Sequence, residues 1–146
     1  MTKTVSIGKV KIGGDNPIAI QSMTNTRTRD IDATVAQIEA LSAAGCDIVR
    51  CSVPDTASAE ALKSICARSP LPVVADIHFD YKLAMFAADS GAAKIRINPG
   101  NIGGQDKVNY LASYLKERSI PIRIGVNGGS LDSKYKALPL DKAMCE

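Results

Sequence analysis

At 146 residues the chain has the length of one ordinary domain, and 45% hydrophobic with 23% charged residues is the balance of a packed fold rather than of a disordered or fibrous one. Eighteen Lys and Arg against 15 Asp and Glu leave a net charge of +3, and 4% aromatic residues with no Trp give no stacking platform, which excludes nucleic-acid binding by bulk charge or base stacking. Neither a signal-type apolar stretch at the N-terminus nor a run of about 18 apolar residues occurs, so a cytoplasmic protein without a membrane partner is expected.

Val5 to Ile12, with Gly8-Lys9 at its centre, reads as a small hairpin placed to cover the N-terminal end of a sheet. The β-branched run Ile18 to Gln21 reads as the first buried strand. Val35, Ile38 and Leu41 then share one helical face, with Gly45 as its stop. A second strand spans Asp47 to Cys51, and a helix carrying Leu62, Ile65 and Cys66 begins after Pro54-Asp55. The third strand, Val73 to Ile77, precedes a helix capped by Asp80, with Leu83, Phe86 and Ala87 inward and Gly91 at its end. Lys94 to Asn98 forms the fourth strand, Val108, Leu111 and Leu115 mark the next helix, and Ile122 to Val126 forms the fifth strand. Pro72 and Pro121 sit just ahead of strands, where a missing N–H is tolerated. Leu138 to Glu146 reads as the opening of a further helix.

Strand starts recurring at about 25-residue intervals make a βα repeat with right-handed crossovers and a parallel sheet, so the fold class is α/β. Five units fit either a doubly wound sheet of the flavodoxin type or part of a TIM-type (βα)8 barrel of ~250 residues. Polar groups finish every strand: Gln21-Ser22, Arg50 with Ser52, Asp76 with His78, Arg96 with Asn98, and Arg123 with Asn127. That distribution fits the mouth of a barrel better than a single switch point. Residues 1–146 are then the N-terminal part of an incomplete barrel domain, about five βα units plus the hairpin, with an exposed sheet edge prone to self-association.

Residues two apart on a strand share a face, so Asp76 pairs with His78, Arg96 with Asn98, and Arg123 with Asn127 across Gly125. Arg50 joins them from the second strand. Three guanidiniums in one mouth repel one another unless a polyanion lies among them, and their forked geometry suits a phosphate or diphosphate. The glycine-rich segment Asn98 to Gly104 adds backbone N–H groups that can face an oxyanion, although neither G-x-G-x-x-G nor a P-loop is present. His78, the only histidine, has Asp76 beside it, an arrangement suited to proton handling near a bound anion. Cys46, Cys51, Cys66 and Cys145 contain no C-x-x-C pair and read as small buried hydrophobes, so no metal ligands are expected.

Together, Pro17-Ile18-Ala19-Ile20-Gln21-Ser22-Met23-Thr24-Asn25-Thr26, Asp47 to Pro54, Ala75 to Asp80, Lys94 to Gly103 and Pro121 to Leu131 resemble the N-terminal part of the 4-hydroxy-3-methylbut-2-enyl diphosphate synthases, which serve the methylerythritol phosphate route to isoprenoids. The resemblance implies a TIM-type barrel binding 2-C-methyl-D-erythritol 2,4-cyclodiphosphate at its C-terminal mouth. It also implies an oxidoreductase that opens the ring with two electrons and loses a hydroxyl as water, fed by flavodoxin or ferredoxin. In that family a separate C-terminal domain carries a 4Fe-4S cluster on three Cys and one Glu and closes over the partner's barrel in a head-to-tail homodimer. By position, Arg50, Arg96 and Arg123 match the diphosphate-binding arginines, with Asn98 and Asn127 as further substrate contacts and Asp76 and His78 as the catalytic pair. No cluster-binding segment is present, so the chain alone is expected to bind no cluster and to be inactive. A pterin-binding barrel of the dihydropteroate synthase type and a stand-alone flavodoxin-like binding module are the alternatives; the first differs in its ligand, the second in unfolding as a soluble, cooperative monomer.

Overall fold

The computed structural model of the protein describes residues 2–126 together with Tyr135, Leu138, Pro139 and Lys142. Asn127, Cys145 and most of the expected helix at 138–146 lie outside the described residues.

Among the described residues, β1 (Val5–Ile7) and β2 (Val10–Ile12) form an antiparallel hairpin. There follow β3 (Gln21–Met23), α1 (Ile31–Ala43), β4 (Ile48–Val53), α2 (Thr56–Arg68), β5 (Val73–Ile77), α3 (Tyr81–Asp89), β6 (Lys94–Ile97), α4 (Pro99–Ile102), α5 (Gln105–Glu117) and β7 (Ile122–Ile124). The second sheet is parallel, in the order β3-β4-β5-β6-β7. Each strand lies beside its predecessor. A flavodoxin-type sheet would reverse that order at a switch point, so sequential order places the five strands along the arc of a barrel.

Alternation within each strand sorts the two faces. Val49, Cys51 and Val53 of β4, Val73, Ala75 and Ile77 of β5, and Ile95 and Ile97 of β6 join residues of α1, α2, α3 and α5 in one buried core. All four long helices therefore cover the same face, and the residues of opposite parity are left on the other. Each fully buried Leu or Ile contributes about 1.5–3 kcal/mol, which makes this layer the main source of stability. Three helices start where an aspartate accepts a backbone N–H: Asp30 from Ala33 at 3.2 Å, Asp55 from Ser58 at 2.8 Å and Asp80 from Lys82 at 2.8 Å. Gly45, at φ +90°, ends α1 in the left-handed region and lets Cys46 N–H reach the Leu41 carbonyl.

The hairpin sits at the strand-start end of the sheet. Ile7 is buried with Ile48 and Val74 in a second, smaller cluster, and Lys9 donates to the Pro70 carbonyl at 2.9 Å.

Three expectations are corrected. The first strand begins at Gln21 instead of Ile18, because the Ile20 N–H is taken by the Asp47 carboxylate at 2.7 Å and regular pairing with β4 starts one residue later. Ile18 and Ile20 are consequently exposed, and Gln21 opens the strand rather than finishing it. Phe86 points outward. The sheet-facing stripe of α3 is Ala84, Ala87 and Ala88, whose small side chains let the helix lie close to its neighbours. Finally, pairing of the last strand stops at Ile124.

Candidate functional site

The helix-free face of the parallel sheet carries the polar residues that sequence parity assigned to one side. Ser52, Asp76, Arg96 and Arg123 are successive backbone partners across β4, β5, β6 and β7, so four strands present one polar row.

Asp76 is the centre of that row. Its side chain is 6% exposed; Oδ1 accepts from Arg96 Nη1 at 3.0 Å, while Oδ2 faces Arg50 Nε at 3.6 Å and His78 Nε2 at 3.8 Å. The structure thus brings together four of the expected site residues, Arg50, Asp76, His78 and Arg96. His78 Nε2 also lies 3.4 Å from Ser52 Oγ. With both oxygens engaged by cationic or ring nitrogens, the carboxylate fixes the directions of the guanidiniums, which keep their remaining N–H groups for another acceptor.

The other expected residues are placed differently. Asn98 is buried, and its Oδ1 accepts the Gly100 N–H at 3.1 Å, capping α4, so that oxygen serves the loop itself. Arg123 is exposed and lines a cleft of about 450 Å³ with Lys94 and Gln21, toward the strand starts.

Supporting contacts surround the cluster. Arg50 donates through Nε and Nη2 to Met23 Sδ at 3.3 and 3.2 Å, an acceptor that leaves the full positive charge in place. A Cβ on Gly125 would lie 2.6 Å from Arg96 Nη2, so only glycine there lets the guanidinium cross the β7 backbone. The Thr-rich loop after β3 ties down the mouth end of β4: Thr24 N–H binds the Arg50 carbonyl at 3.0 Å and Thr28 Oγ1 the Ser52 carbonyl at 2.6 Å. Lys94, Met23, Thr24 and Thr28 were not singled out from the sequence. For Lys94 the signal was available: a charged residue opening an apolar strand with the parity of Arg96.

Burial, together with Arg123 and Arg50, pushes the Lys94 ammonium below its ordinary value. Cys51 and Cys66 are driven the other way, up, by burial, Cys66 to about 12. Cys46 and Cys51 belong to the helix-side core and Cys66 packs against it; among the described residues no three His, Cys, Asp or Glu groups come together as metal ligands. These residues do not fit an iron–sulfur cluster.

The family model for the GcpE TIM-barrel domain matches residues 2–146. A relative from Maridesulfovibrio salexigens, named 4-hydroxy-3-methylbut-2-en-1-yl diphosphate synthase (flavodoxin), is 58% identical over 149 residues, 99% of this chain and 41% of its own length. Relatives of the same name from Idiomarina loihiensis and Caldicellulosiruptor saccharolyticus are 59% and 54% identical, over 90% and 100% of this chain and 35% and 43% of their own lengths. The chain spans about 40% of the length of these curated relatives. A parallel arc with sequential strands, a hairpin beneath it and a family match across nearly every residue agree, and the chain belongs to the GcpE TIM-barrel domain family.

Proposed function

We propose that this chain is the substrate-binding part of a 4-hydroxy-3-methylbut-2-enyl diphosphate synthase and holds 2-C-methyl-D-erythritol 2,4-cyclodiphosphate by its diphosphate on the helix-free face. The observation that carries this reading is the charge of that face. Among the residues that β3 to β7 turn to it, Arg50, Lys94, Arg96 and Arg123 stand against one carboxylate, Asp76. A surplus of cations with pre-aimed guanidiniums favours a polyanion, and a diphosphate matches it in charge and geometry.

Arg50 and Arg96, already oriented by Asp76, bind phosphoryl oxygens; Asp76 is a positioning residue, and half-buried His78 handles a proton at the ligand. Asn98 shapes the loop beside the site, and Asn127 and Arg123 add contacts from the last strand. The electrons for reductive ring opening enter from outside the described residues, through a 4Fe-4S cluster on a further domain supplied by flavodoxin or ferredoxin, in a cytoplasmic homodimer. Names of the relatives specify flavodoxin.

Calorimetric titration of the full-length protein with the cyclodiphosphate tests this. Arg96→Ala should weaken binding roughly 10- to 100-fold, the loss expected for a charge-assisted contact of about 1.5–3 kcal/mol, and a pterin should not compete. Unchanged affinity in Arg96→Ala, or displacement by the pterin, would sink the proposal.

A further inference from the structure

Met23 and Arg50 are backbone partners across β3 and β4, so their side chains leave the sheet side by side on the helix-free face. Met23 Sδ accepts from Arg50 Nε at 3.3 Å and from Nη2 at 3.2 Å, two contacts along one edge of the guanidinium. Asp76 Oδ2 stands 3.6 Å from the same Nε, near enough to compensate charge but outside hydrogen-bond distance, and the other carboxylate oxygen is taken by Arg96 at 3.0 Å. Among the described residues, the Arg50 side chain therefore hydrogen-bonds to Met23 alone. The pair is held in register from the loop that follows. Thr24 N–H binds the Arg50 carbonyl at 3.0 Å, while Asn25 N–H donates to Gln37 Oε1 at 3.0 Å and Gln37 Nε2 returns a bond to Asn25 Oδ1 at 2.8 Å.

Burial does not account for this methionine, which is 38% exposed and belongs to neither apolar cluster. Its chemistry does. A carboxylate at this position would grip the guanidinium and cancel its charge, and an aliphatic chain would leave the Nε–Nη2 edge without an acceptor; a thioether accepts both N–H groups and carries no charge. We propose that Met23 is a positioning residue for Arg50: its sulfur fixes the plane of the guanidinium and keeps Nη1, which has no acceptor among the described residues, for an oxygen of the ligand. An arginine already held in one orientation loses less side-chain freedom when the ligand arrives, so the sulfur acts on affinity through Arg50 and not by touching the ligand. This deepens, and rests on, the reading of the helix-free face as the diphosphate site.

The test uses the full-length protein as wild type, Met23→Leu, Met23→Gln, Arg50→Ala and the Met23→Leu/Arg50→Ala double variant, each titrated calorimetrically with the cyclodiphosphate. Met23→Leu keeps the volume and removes the acceptor, and should weaken binding about three- to tenfold. Met23→Gln restores an uncharged acceptor on a chain of similar length and should bind within about twofold of wild type. A packing role predicts the reverse order, with leucine tolerated and glutamine not. In the Arg50→Ala background the Met23→Leu change should have no further effect, because the group it positions is gone. Met23→Leu binding within about twofold of wild type, while Arg50→Ala loses affinity, overturns the positioning role and leaves the diphosphate reading standing. Glutamine as weak as leucine overturns it too, as does a Met23→Leu loss that persists in full without Arg50. Wild type that does not bind the cyclodiphosphate, or Arg50→Ala that binds it as wild type does, removes the diphosphate reading of Arg50 and the proposal with it.

Discussion

Asp76 and Arg96 are backbone partners on adjacent strands, and their side chains meet at 3.0 Å with the carboxylate 6% exposed and the guanidinium 18% exposed. Because Arg50 approaches the other oxygen at 3.6 Å, one buried carboxylate compensates two cations. Asp76→Asn keeps the shape and removes the charge, leaving both guanidiniums uncompensated. It should cost about 2–4 kcal/mol in urea unfolding, and a loss below about 0.5 kcal/mol would show that the arginines do not depend on Asp76.

Gly125→Ala separates positioning from stability. The added Cβ would sit 2.6 Å from Arg96 Nη2, and the atom in its way is the end of a flexible side chain that moves at little cost. Unfolding should therefore change by less than about 1 kcal/mol, while affinity for the cyclodiphosphate falls by about tenfold. Equal affinity in the two proteins would show that the observed Arg96 direction is not the binding one.

Lys94 gives a pH dependence whose sign follows from its environment. Burial first, then the Arg123 and Arg50 charges, lower its pKa in the folded state below 10.5. Between that lowered value and 10.5 the unfolded chain binds more protons, so stability rises with pH in this window. Relative to Lys94→Met, the wild type should gain stability as pH is raised from 7 toward 10 in paired denaturation curves. A constant difference between the two proteins would contradict the burial of a strained cation.

Cysteine chemistry follows the same logic in reverse. The thiolate is the reactive form, and burial holds Cys51 above its ordinary value and Cys66 at about 12. Iodoacetamide at pH 8 should leave Cys46, Cys51 and Cys66 unmodified in the folded protein and label all three after unfolding, as mapped by mass spectrometry. Rapid native labelling at any of them would reveal local opening of the helix-side core.

The hairpin closure can be tested at Ile7, which is fully buried against Ile48 and Val74. Ile7→Ala should cost about 2–5 kcal/mol through lost burial and a residual cavity. A negligible change in the urea midpoint would mean the hairpin is not packed on the sheet in solution.

Much of the architecture was legible from local signals because each is enforced locally. Asp30, Asp55 and Asp80 precede helices as caps, Gly45 and Gly91 follow them in the left-handed region, and the alternating strands have one apolar and one polar parity. Phe86 was misplaced because helical periodicity admits two neighbouring stripes. Which stripe is buried depends on how closely α3 approaches the sheet, and three alanines allow an approach that a phenylalanine would block.

The sequence by itself determined the βα order, the resemblance of five ordered segments to one family, and the within-strand parity that sets Arg50 with Ser52, Asp76 with His78 and Arg96 with Asn98, since a strand's period of two leaves no other choice within one strand. Only the tertiary structure decided the pairings. Asp76 centres the cluster because β4, β5 and β6 are adjacent and in a register that aligns residues distant in the chain. Asn98 caps α4, Gly125 makes room for Arg96, and Lys94 sits among cations for the same reason: distances across strands are set by register and packing, which no local pattern encodes.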